Sequence, residues 1–502
     1  MLKNFNYERQ LSKDVYTKEI DRLKNEMSLL QLEIKKKKLP VIILFEGTST
    51  SGKGQSISQT ILSLDPRFFT TYSITKPNDF EIRMPDMWRY WVKTPYNGQI
   101  CFMDRSWYQD LFNVCEKSNN LFKSRKAKDK LSTIECFERF LVSSGTLIIK
   151  IYINISKKEQ FRRLKELSKE ESTAWRVTKK DWNKNDKYEQ NMEIMDHILE
   201  TTNYTFSPWY VVDGTYKRNR NVAIYNVIID SVKNALNNNF LELKKQSSKF
   251  FLDAKFDLKN INKIEEVNLD GCIDKENYKS QLNKLQKELF RLQNILYCKK
   301  IPMVIVFEGW DAAGKGGVIK RVAGGLDARG YNVNPISAPT DIELNHHYLW
   351  RFWKKIPKNG HVSIYDRSWY GRVMVERIEK ITPETEWKRA YNEINFFEQE
   401  LYESGIIIVK FWLQISKDVQ LQRFRERENT PSKNWKITPE DWRNRAKWDE
   451  YNVAINEMIE KTSTEFAPWN IVPSNDKLFS RIYALNIVIK TIKEHLNDRK
   501  LN

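Results

Sequence analysis

Glycines, an aspartate and a lysine are spaced in one short stretch as a phosphate-binding loop needs them. Residues 307–317 are FEGWDAAGKGG. Small residues let backbone N–H groups approach phosphate oxygens, and Lys315 adds positive charge at the start of a predicted helix. An apolar run at 303–306 precedes the loop, and a helix-like run at 318–322 follows it. This order predicts a P-loop whose phosphate-binding glycines are Gly309, Gly314, Gly316 and Gly317.

The loop departs from that of ordinary nucleoside triphosphatases at two positions. Gly316 follows the lysine where those enzymes place a Ser or Thr hydroxyl on Mg²⁺. Asp311 brings a carboxylate into the loop, where it could replace that hydroxyl or hold an acceptor phosphate through the metal. Both departures argue against an ordinary ATPase.

A second carboxylate follows another strand-like run. Residues 362–365 are VSIY, and Asp366 comes directly after them, as in a Walker B strand. A carboxylate at a strand end that faces a P-loop is placed to hold Mg²⁺ on phosphates. The alternative is a helix N-cap, because Asp366 also opens a predicted helix. The P-loop upstream favours the metal role.

Cations and aromatic residues accompany these carboxylates. Arg367 and Arg372 follow Asp366 closely, and Arg423 and Arg427 lie four positions apart, on one face of a helix. Arginines near a transferring phosphoryl group neutralise the charge that spreads over its oxygens. For each arginine a surface ion pair is the alternative. With these arginines, four further residues predict a basic lid over the site: Lys433, Trp435, Lys436 and Trp442. We expect the two tryptophans to pin the lid to the body, and base stacking is the alternative.

The elements that must position these groups occur twice in the chain. Lys315 lies 262 positions after Lys53, and Trp435 lies 260 positions after Trp175. Self-similarity over about 220 residues predicts two copies of one domain. Strands that alternate with helical patterns predict that each copy is an α/β unit with a parallel sheet flanked by helices. We expect the copies to span residues 1–245 and 246–502.

Composition limits the partners and the compartment. The formal net charge of +19 favours a polyanionic partner, although solvated surface lysines are the alternative. Five cysteines without a C-x-x-C pair indicate reduced thiols, and neither a disulfide framework nor a zinc site. The start of the chain shows no signal-peptide pattern, and no apolar run approaches the length of a membrane span. We therefore expect a cytoplasmic protein.

Taken together, these motifs resemble the type 2 polyphosphate kinase family. The resemblance rests on G-x-D-x-x-G-K-G-G at 309–317, on DRSWYGR at 366–372, and on the Trp-Lys and Asp-Trp pairs at 435–436 and 441–442. It covers nearly all of residues 275–490 and, more weakly, about 13–230. The family fold is a thymidylate-kinase-like P-loop domain with a mobile helical lid. A tandem of two such domains is similar to the subgroup that transfers a phosphoryl group from polyphosphate to AMP with Mg²⁺.

The resemblance also implies roles for single residues. Asp311 and Asp366 would coordinate Mg²⁺ and the acceptor phosphate, and the arginines and lysine would contact phosphates: Lys315, Arg367, Arg372, Arg423 and Arg427. From its place in the basic lid, Lys433 is expected to bind phosphate as well. The expected partners are inorganic polyphosphate and a purine nucleotide, most simply AMP, with neither nucleic acid nor membrane. A helical stripe over residues 282–296 could pair subunits in a homo-oligomer.

The first copy departs from the family pattern at its loop and beyond. Ser49 stands at the place of Asp311, and Gln55 at that of Gly317. Three further replacements are Thr48 for Trp310, Gln109-Asp110 for Gly371-Arg372, and Leu167 for Arg427, whereas Lys53, Asp104 and Arg105 remain. Losing a carboxylate and two arginines removes metal and charge stabilisation together. We expect an inactive copy with a structural or phosphate-binding role.

Two other functions stay open from the sequence. An ATP-dependent nucleoside monophosphate kinase shares this loop style, but Gly316 is against it. A nucleic-acid-binding protein would explain the charge but not the placed aspartates, which repel a nucleic acid in the absence of metal.

Overall fold

The computed structural model describes residues 1–3, 5, 9–118, 124–237, 239–432 and 434–501. The chain divides into two compact units. The first consists of Met1–Lys76, Tyr90–Phe250 and Asp341–His347. The second consists of Pro77–Arg89, Phe251–Thr340 and Tyr348–Asn502. The sequence-based boundary between residues 245 and 246 stays a prediction.

Each unit is built on a five-stranded sheet in which every described pair of strands is parallel. The first sheet has the order β2-β3-β1-β4-β5, with β1 (Val41–Gly47), β2 (Phe69–Ser73), β3 (Ile100–Asp104), β4 (Leu147–Asn154) and β5 (Trp209–Asp213). The second repeats it as β7-β8-β6-β9-β10, with β6 (Met303–Gly309), β7 (Tyr331–Pro335), β8 (Val362–Asp366), β9 (Ile407–Gln414) and β10 (Trp469–Pro473). The predicted duplicated α/β fold is confirmed.

Helices connect and flank these strands. In chain order they are α1 (Lys13–Lys36), α2 (Lys53–Ile61), α3 (Trp88–Trp91), α4 (Trp107–Ser118), α5 (Arg125–Ser143), α6 (Lys157–Lys169), α7 (Glu171–Ala174), α8 (Lys179–Asp186), α9 (Tyr188–Thr201), α10 (Lys217–Leu236), α11 (Asn239–Asp253), α12 (Lys275–Cys298), α13 (Lys315–Ala323), α14 (Asp341–Leu344), α15 (Trp350–Trp353), α16 (Val375–Ile378), α17 (Glu384–Glu403), α18 (Lys417–Glu428), α19 (Pro439–Ala446), α20 (Trp448–Thr462) and α21 (Lys477–Leu501). Short 3-10 helices cover Pro66–Phe68, Glu81–Arg83, Ile264–Glu266, Trp369–Arg372 and Asn434–Lys436.

The inner strands are buried on both faces, which explains their continuous apolar sequences. Every residue of β4 and β9 is buried, as are the first six of β1 and of β6. Parallel sheets covered by helices on both sides need such strands. The strands β1 and β6 lie at the centre of their sheets. The loop that follows each of them therefore lies in the middle of the carboxyl edge of its sheet, where ligands bind in α/β folds.

A buried polar cluster lies behind the segment that begins at Asp366. Glu398 of α17 accepts hydrogen bonds from the Trp369 indole at 3.0 Å and from the Tyr370 hydroxyl at 2.7 Å. Lys410 of β9 donates to the same carboxylate at 2.7 Å and to the Thr462 carbonyl at 2.7 Å. The first unit repeats the cluster with Trp107, Tyr108, Glu138, Lys150 and Thr202. This cluster fixes the start of the segment after β8 and β3.

All five cysteines carry free thiols. Among the described residues, no helix has the length and the apolar composition that crossing a membrane requires. In α12, part of the predicted stripe packs inside its own unit, since Leu289, Leu292 and Leu296 are buried. The homo-oligomer stays a prediction.

Candidate active site

The loop after β6 has the geometry of a phosphate cradle. Gly309 has φ +152°, and a Cβ there would lie 2.7 Å from the Leu413 Cβ, so a side chain has no room. Gly314 has φ +105° and precedes the first residue of α13. N–H groups in the first turn of a helix lack helical partners and point at whatever lies before the helix. The Lys315 amine donates to the Gly309 carbonyl at 2.6 Å, which holds its charge over the loop.

A cavity of about 780 Å³ opens in front of this loop. Most of the residues predicted from the sequence line it, namely Asp311, Gly314, Lys315, Gly316, Gly317, Asp366, Arg367, Arg423 and Arg427. Gly309 lines a smaller adjoining cavity of about 100 Å³, which also reaches Asp311 and Lys315. The structure therefore brings the predicted carboxylates and cations into one place.

The Asp311 carboxylate is held between the loop and α19. Arg367 lies 3.4 Å from its Oδ1, and the Asn444 amide donates to its Oδ2 at 3.0 Å. The Arg367 backbone takes φ +63°, and its N–H donates to the Phe307 carbonyl at 3.0 Å. The arginine that follows β8 is thereby directed to the loop that follows β6.

Asp366 ends β8, the strand beside β6, in register with Phe307. Next to it Ser368 donates to the buried Glu308 carboxyl at 2.7 Å. Burial raises the pKa of Glu308, while the Ser368 hydrogen bond and the charge of Lys315 oppose that shift. In the first unit, burial raises the pKa of the matching Glu46 to about 7. This buried carboxyl below the loop was not predicted from the sequence.

The two carboxylates fit a Mg²⁺ ion that completes its coordination with substrate oxygens. Asp311 and Asp366 line the same cavity, and carboxylate oxygen is the donor that Mg²⁺ takes in proteins. Among the described residues, no group of three or more metal-ligating side chains occurs. Mg²⁺ is commonly bound by one or two carboxylates together with phosphates. The donor set therefore suits a metal that binds with the phosphates.

Three predicted cations behave differently from one another. Arg423 is buried and donates to the carbonyls of Ala312 and Ala313 in the loop and of Ser474 and Asn475 after β10. It therefore holds the loop in shape, and its direct phosphate contact stays a prediction. Arg372 pairs with Glu376 and Glu386 at 2.8 and 2.7 Å and is not among the described residues that line the cavity. Lys433 lies outside the described residues.

The predicted lid consists of α18, α19 and the turn between them. Trp442 packs on Phe424 of α18 with ring centroids 5.2 Å apart, as expected for a residue that pins the lid. Trp435 is 72% exposed and lines the cavity, which favours base stacking over the expected pinning role. Its position in a polar, solvated turn explains the difference.

Sequence reasoning missed a contact between the loop and α20. The Trp310 ring stacks on Trp448 with centroids 3.7 Å apart and planes 6° apart, and its indole donates to Gln414 at 2.9 Å. In the first unit these two positions hold Thr48 and Tyr188. The change at 48 was visible in the repeat, but nothing in the sequence indicated its partner.

The first turn of α21 was also missed. Lys477, Ser480 and Arg481 line the cavity, together with Asn444 and Glu440 of α19. A helix that begins directly after an edge strand lies at the ligand-binding edge of the sheet. The strand β10 was not identified from the sequence, so these residues gave no signal.

In the first unit, the side chain at the position of Asp311 is engaged in a hydrogen bond. Ser49, which stands for Asp311, donates to Asp181 of α8 at 2.6 Å. Asp181 also caps α8 through Thr178. The serine hydroxyl thus bonds the acidic residue of α8, and the first unit lacks the carboxylate that Asp311 supplies in the second.

Comparison with known proteins agrees with these features. The family model described as polyphosphate kinase 2 matches residues 10–239 and 272–500. A polyphosphate:AMP phosphotransferase of Pseudomonas aeruginosa is 39% identical and covers 96% of this chain and 97% of its own. One from Acinetobacter johnsonii is 34% identical, covering 94% and 95%. A crystal structure of a protein described as a polyphosphate kinase 2 from Pseudomonas aeruginosa PA01 superposes with a TM-score of 0.85 at 36% identity, covering 99% of this chain and 100% of that chain.

Proposed function

The chain belongs to the polyphosphate kinase 2 family, and on that premise we propose that it transfers the terminal phosphoryl group of inorganic polyphosphate to AMP, giving ADP. It is a phosphotransferase, and relatives named polyphosphate:AMP phosphotransferase match it along almost their whole length. The observation that supports the proposal most is that Asp311, Lys315 and Asp366 line one cavity in the second unit.

We propose Mg²⁺ as the cofactor, held by Asp311 and Asp366. When bound, the ion would neutralise phosphate charge and align donor with acceptor. Gly316 offers no hydroxyl to a metal, so the Asp311 carboxylate takes that place in the donor set.

The reaction itself asks little covalent chemistry of the protein. An oxygen of the AMP phosphate attacks the terminal phosphorus of the chain, a new P–O bond forms, and the P–O bond to the remaining chain breaks. The polyphosphate leaves one phosphate shorter. No general base is needed because a phosphate oxygen is already ionised at neutral pH. Lys315, Arg367 and the N–H groups of the loop would stabilise the oxygens of the group in transfer.

The donor chain would lie along the basic wall of the cavity. Arg427, Lys477 and Arg481 line this side, and they come from α18 and α21. A polyanion is attracted by positive charge spread along its length more than by a complementary shape. Long, flexible arginine and lysine side chains supply such charge. The net charge of +19 agrees with this assignment, and no nucleic acid is needed to explain it.

The first unit would not perform the reaction. Ser49 replaces one metal-binding carboxylate and is bonded to Asp181. A site with a single carboxylate offers one protein ligand fewer to a metal bound with phosphate. We propose that this copy has a structural role. The five free thiols fit the reducing cytoplasm, which stays our prediction for the location.

The test is an assay of donors against acceptors. The protein is incubated with Mg²⁺, either polyphosphate or ATP, and each of AMP, ADP, GMP and GDP, and the products are separated. We expect ADP from polyphosphate and AMP. Transfer from ATP without transfer from polyphosphate would instead identify a nucleoside monophosphate kinase.

A matched pair of variants tests which copy is active. Lys315→Ala should lower kcat by about 100-fold or more, because the amine faces the transferring group. Lys53→Ala removes the same side chain from the first unit and should leave most of the rate. Comparable losses in the two variants would contradict an active second unit.

A further inference from the structure

The loop of the first unit is well formed, yet a side chain fills the space in front of it. Gly52 has φ +101° against +105° at Gly314, and the Lys53 amine donates to the Gly47 carbonyl at 2.9 Å as Lys315 does to Gly309. Arg163 donates to loop carbonyls as Arg423 does. The two phosphate-binding loops therefore share one backbone shape. A difference in phosphate binding between them must come from the side chains that lie in front of each loop.

The side chain in that space is Arg220. It is 2% exposed, and its Nη1 lies where a Cβ on Gly52 would point. Nη1 is 3.4 Å from the Ser51 carbonyl, and Nη2 donates to the Gln55 amide oxygen at 2.9 Å. The guanidinium is thus enclosed against the loop and held on two sides.

The second unit shows the same space open. Apart from Gly314 itself and its chain neighbours, no heavy atom of the described residues lies within 4 Å of the position that a Cβ on Gly314 would take. Arg220 is the fourth residue of α10, and its counterpart, the fourth residue of α21, is Ser480. Ser480 lines the 780 Å³ cavity. Gln55, which holds the guanidinium, corresponds to Gly317.

The arginine at 220 and the serine at 480 differ in both size and charge. A serine ends at its hydroxyl, whereas an arginine carries a planar cation to the end of a long side chain. Releasing Arg220 would break its bond to Gln55 and expose a loop that the guanidinium now covers. Burial lowers the pKa of Arg220 to about 10, so the group stays charged at neutral pH. A phosphate chain that reached the Gly52 backbone from this side would have to displace the guanidinium.

We propose that the residue at the fourth position of this helix decides which copy binds the phosphate donor: Ser480 leaves the second cradle open, and Arg220 closes the first. The inference rests on the proposed function only in taking polyphosphate as the occupant. It goes beyond the missing carboxylate, because Ser49 affects metal binding whereas Arg220 excludes the chain itself.

The test counts bound chains by calorimetry, with inorganic tripolyphosphate and Mg²⁺ as the probe and the full-length protein. We expect one tripolyphosphate per wild-type chain. The double variant R220S/Q55G should bind two, since it places the serine and the glycine of the second cradle at the two positions that fill the first. The variant S480R should lose binding, with a Kd raised at least about tenfold, the factor that corresponds to roughly 1.4 kcal/mol.

Tyr483→Arg is the control for S480R. It adds the same charge to the same helix at an exposed position that is not among the described residues lining the cavity, and it should bind as the wild type does. Two chains bound to the wild type would overturn the inference, as would undiminished binding to folded S480R, or a single chain bound to folded R220S/Q55G. If the double variant does not fold, S480R against Tyr483→Arg decides. One chain bound without transfer to AMP would refute the proposed function and leave the inference standing.

Discussion

Asp311 is the residue at which the two loops differ most in chemistry. Replacing it by the serine of the first copy, Asp311→Ser, should lower kcat by about 100- to 1000-fold. It should also raise the Mg²⁺ concentration that gives half-maximal rate, because one of two carboxylates is lost. Initial rates over a Mg²⁺ series measure both effects. Ser49→Ala in the first unit is the control, and an unchanged Mg²⁺ requirement in Asp311→Ser would exclude this carboxylate from the metal site.

Glu46 offers a prediction about pH. Burial raises its pKa to about 7 in the folded unit, so the folded state binds the proton more tightly than the unfolded chain. Its contribution to stability is complete below the unfolded pKa of about 4.5 and is lost as pH rises towards 7. Glu46→Gln cannot lose a proton. Relative to wild type, the variant should gain about 2 to 3 kcal/mol in opening free energy between pH 5 and 7.

Hydrogen exchange of β1 and β3 amides, compared between Glu46→Gln and wild type at pH 5, 6 and 7, measures that change locally. A difference that does not vary with pH would show that Glu46 is ionised throughout.

At the level of single residues, sequence patterns identified groups that adjoin a buried strand. Asp311 and Lys315 follow β6 within a few positions, Asp366 ends β8, and the sheet brings these strand ends together. Arg372 followed Asp366 just as closely, but its guanidinium pairs with Glu376 and Glu386. Such pairing depends on helices packed in three dimensions, which spacing along the chain does not encode.

At the level of elements, the Glu398 cluster connects β9, α17 and the segment after β8. Glu398→Gln leaves the buried Lys410 ammonium without its carboxylate, and breaking a buried pair costs about 3 to 5 kcal/mol. Because Trp369 and Tyr370 lie three and four positions after Asp366, the rate should fall as well as the melting temperature.

Glu138→Gln makes the equivalent change in the first unit, where Lys150 bonds the residues that correspond to the partners of Lys410. It should lower stability and leave kcat of the folded fraction near that of wild type. Calorimetric melting and initial rates on both variants test this. Equal loss of rate would mean that the cluster of the first unit also supports catalysis.

The same scale explains which strands could be predicted. The runs at β6 and β8 are buried and apolar, and the sequence pattern identified them and, through the repeat, their copies β1 and β3. The edge strands β2 and β7 are half exposed and carry polar residues. An edge strand has a single paired neighbour and an open side, so its composition resembles that of a loop. The internal repeat predicted two copies of the domain, but it did not identify the edge strands β2 and β7.

For the whole molecule, charge should govern how polyphosphate is captured. A net charge of +19 and a basic cavity wall favour a polyanion at low ionic strength, and the Debye length falls from about 10 Å at 0.1 M salt to about 3 Å at 1 M. The KM for long polyphosphate should therefore rise several-fold with added NaCl, while kcat changes little. Tripolyphosphate, which spans fewer cations, should show a smaller rise. A KM for the long chain that is independent of salt would contradict capture by distributed charge.

The indole pair of Trp310 and Trp448 has a consequence for entry into the site. Any movement that separates α20 from the loop must break this stack, and an aromatic pair contributes about 0.5 to 1.5 kcal/mol beyond its buried area. That energy alone reduces the fraction of molecules in an opened form by roughly two- to tenfold. The first copy has Thr48 at the position of Trp310 and therefore lacks this aromatic stack. We therefore expect the two copies to differ in the free energy of opening at the loop as well as in the ligands that they bind.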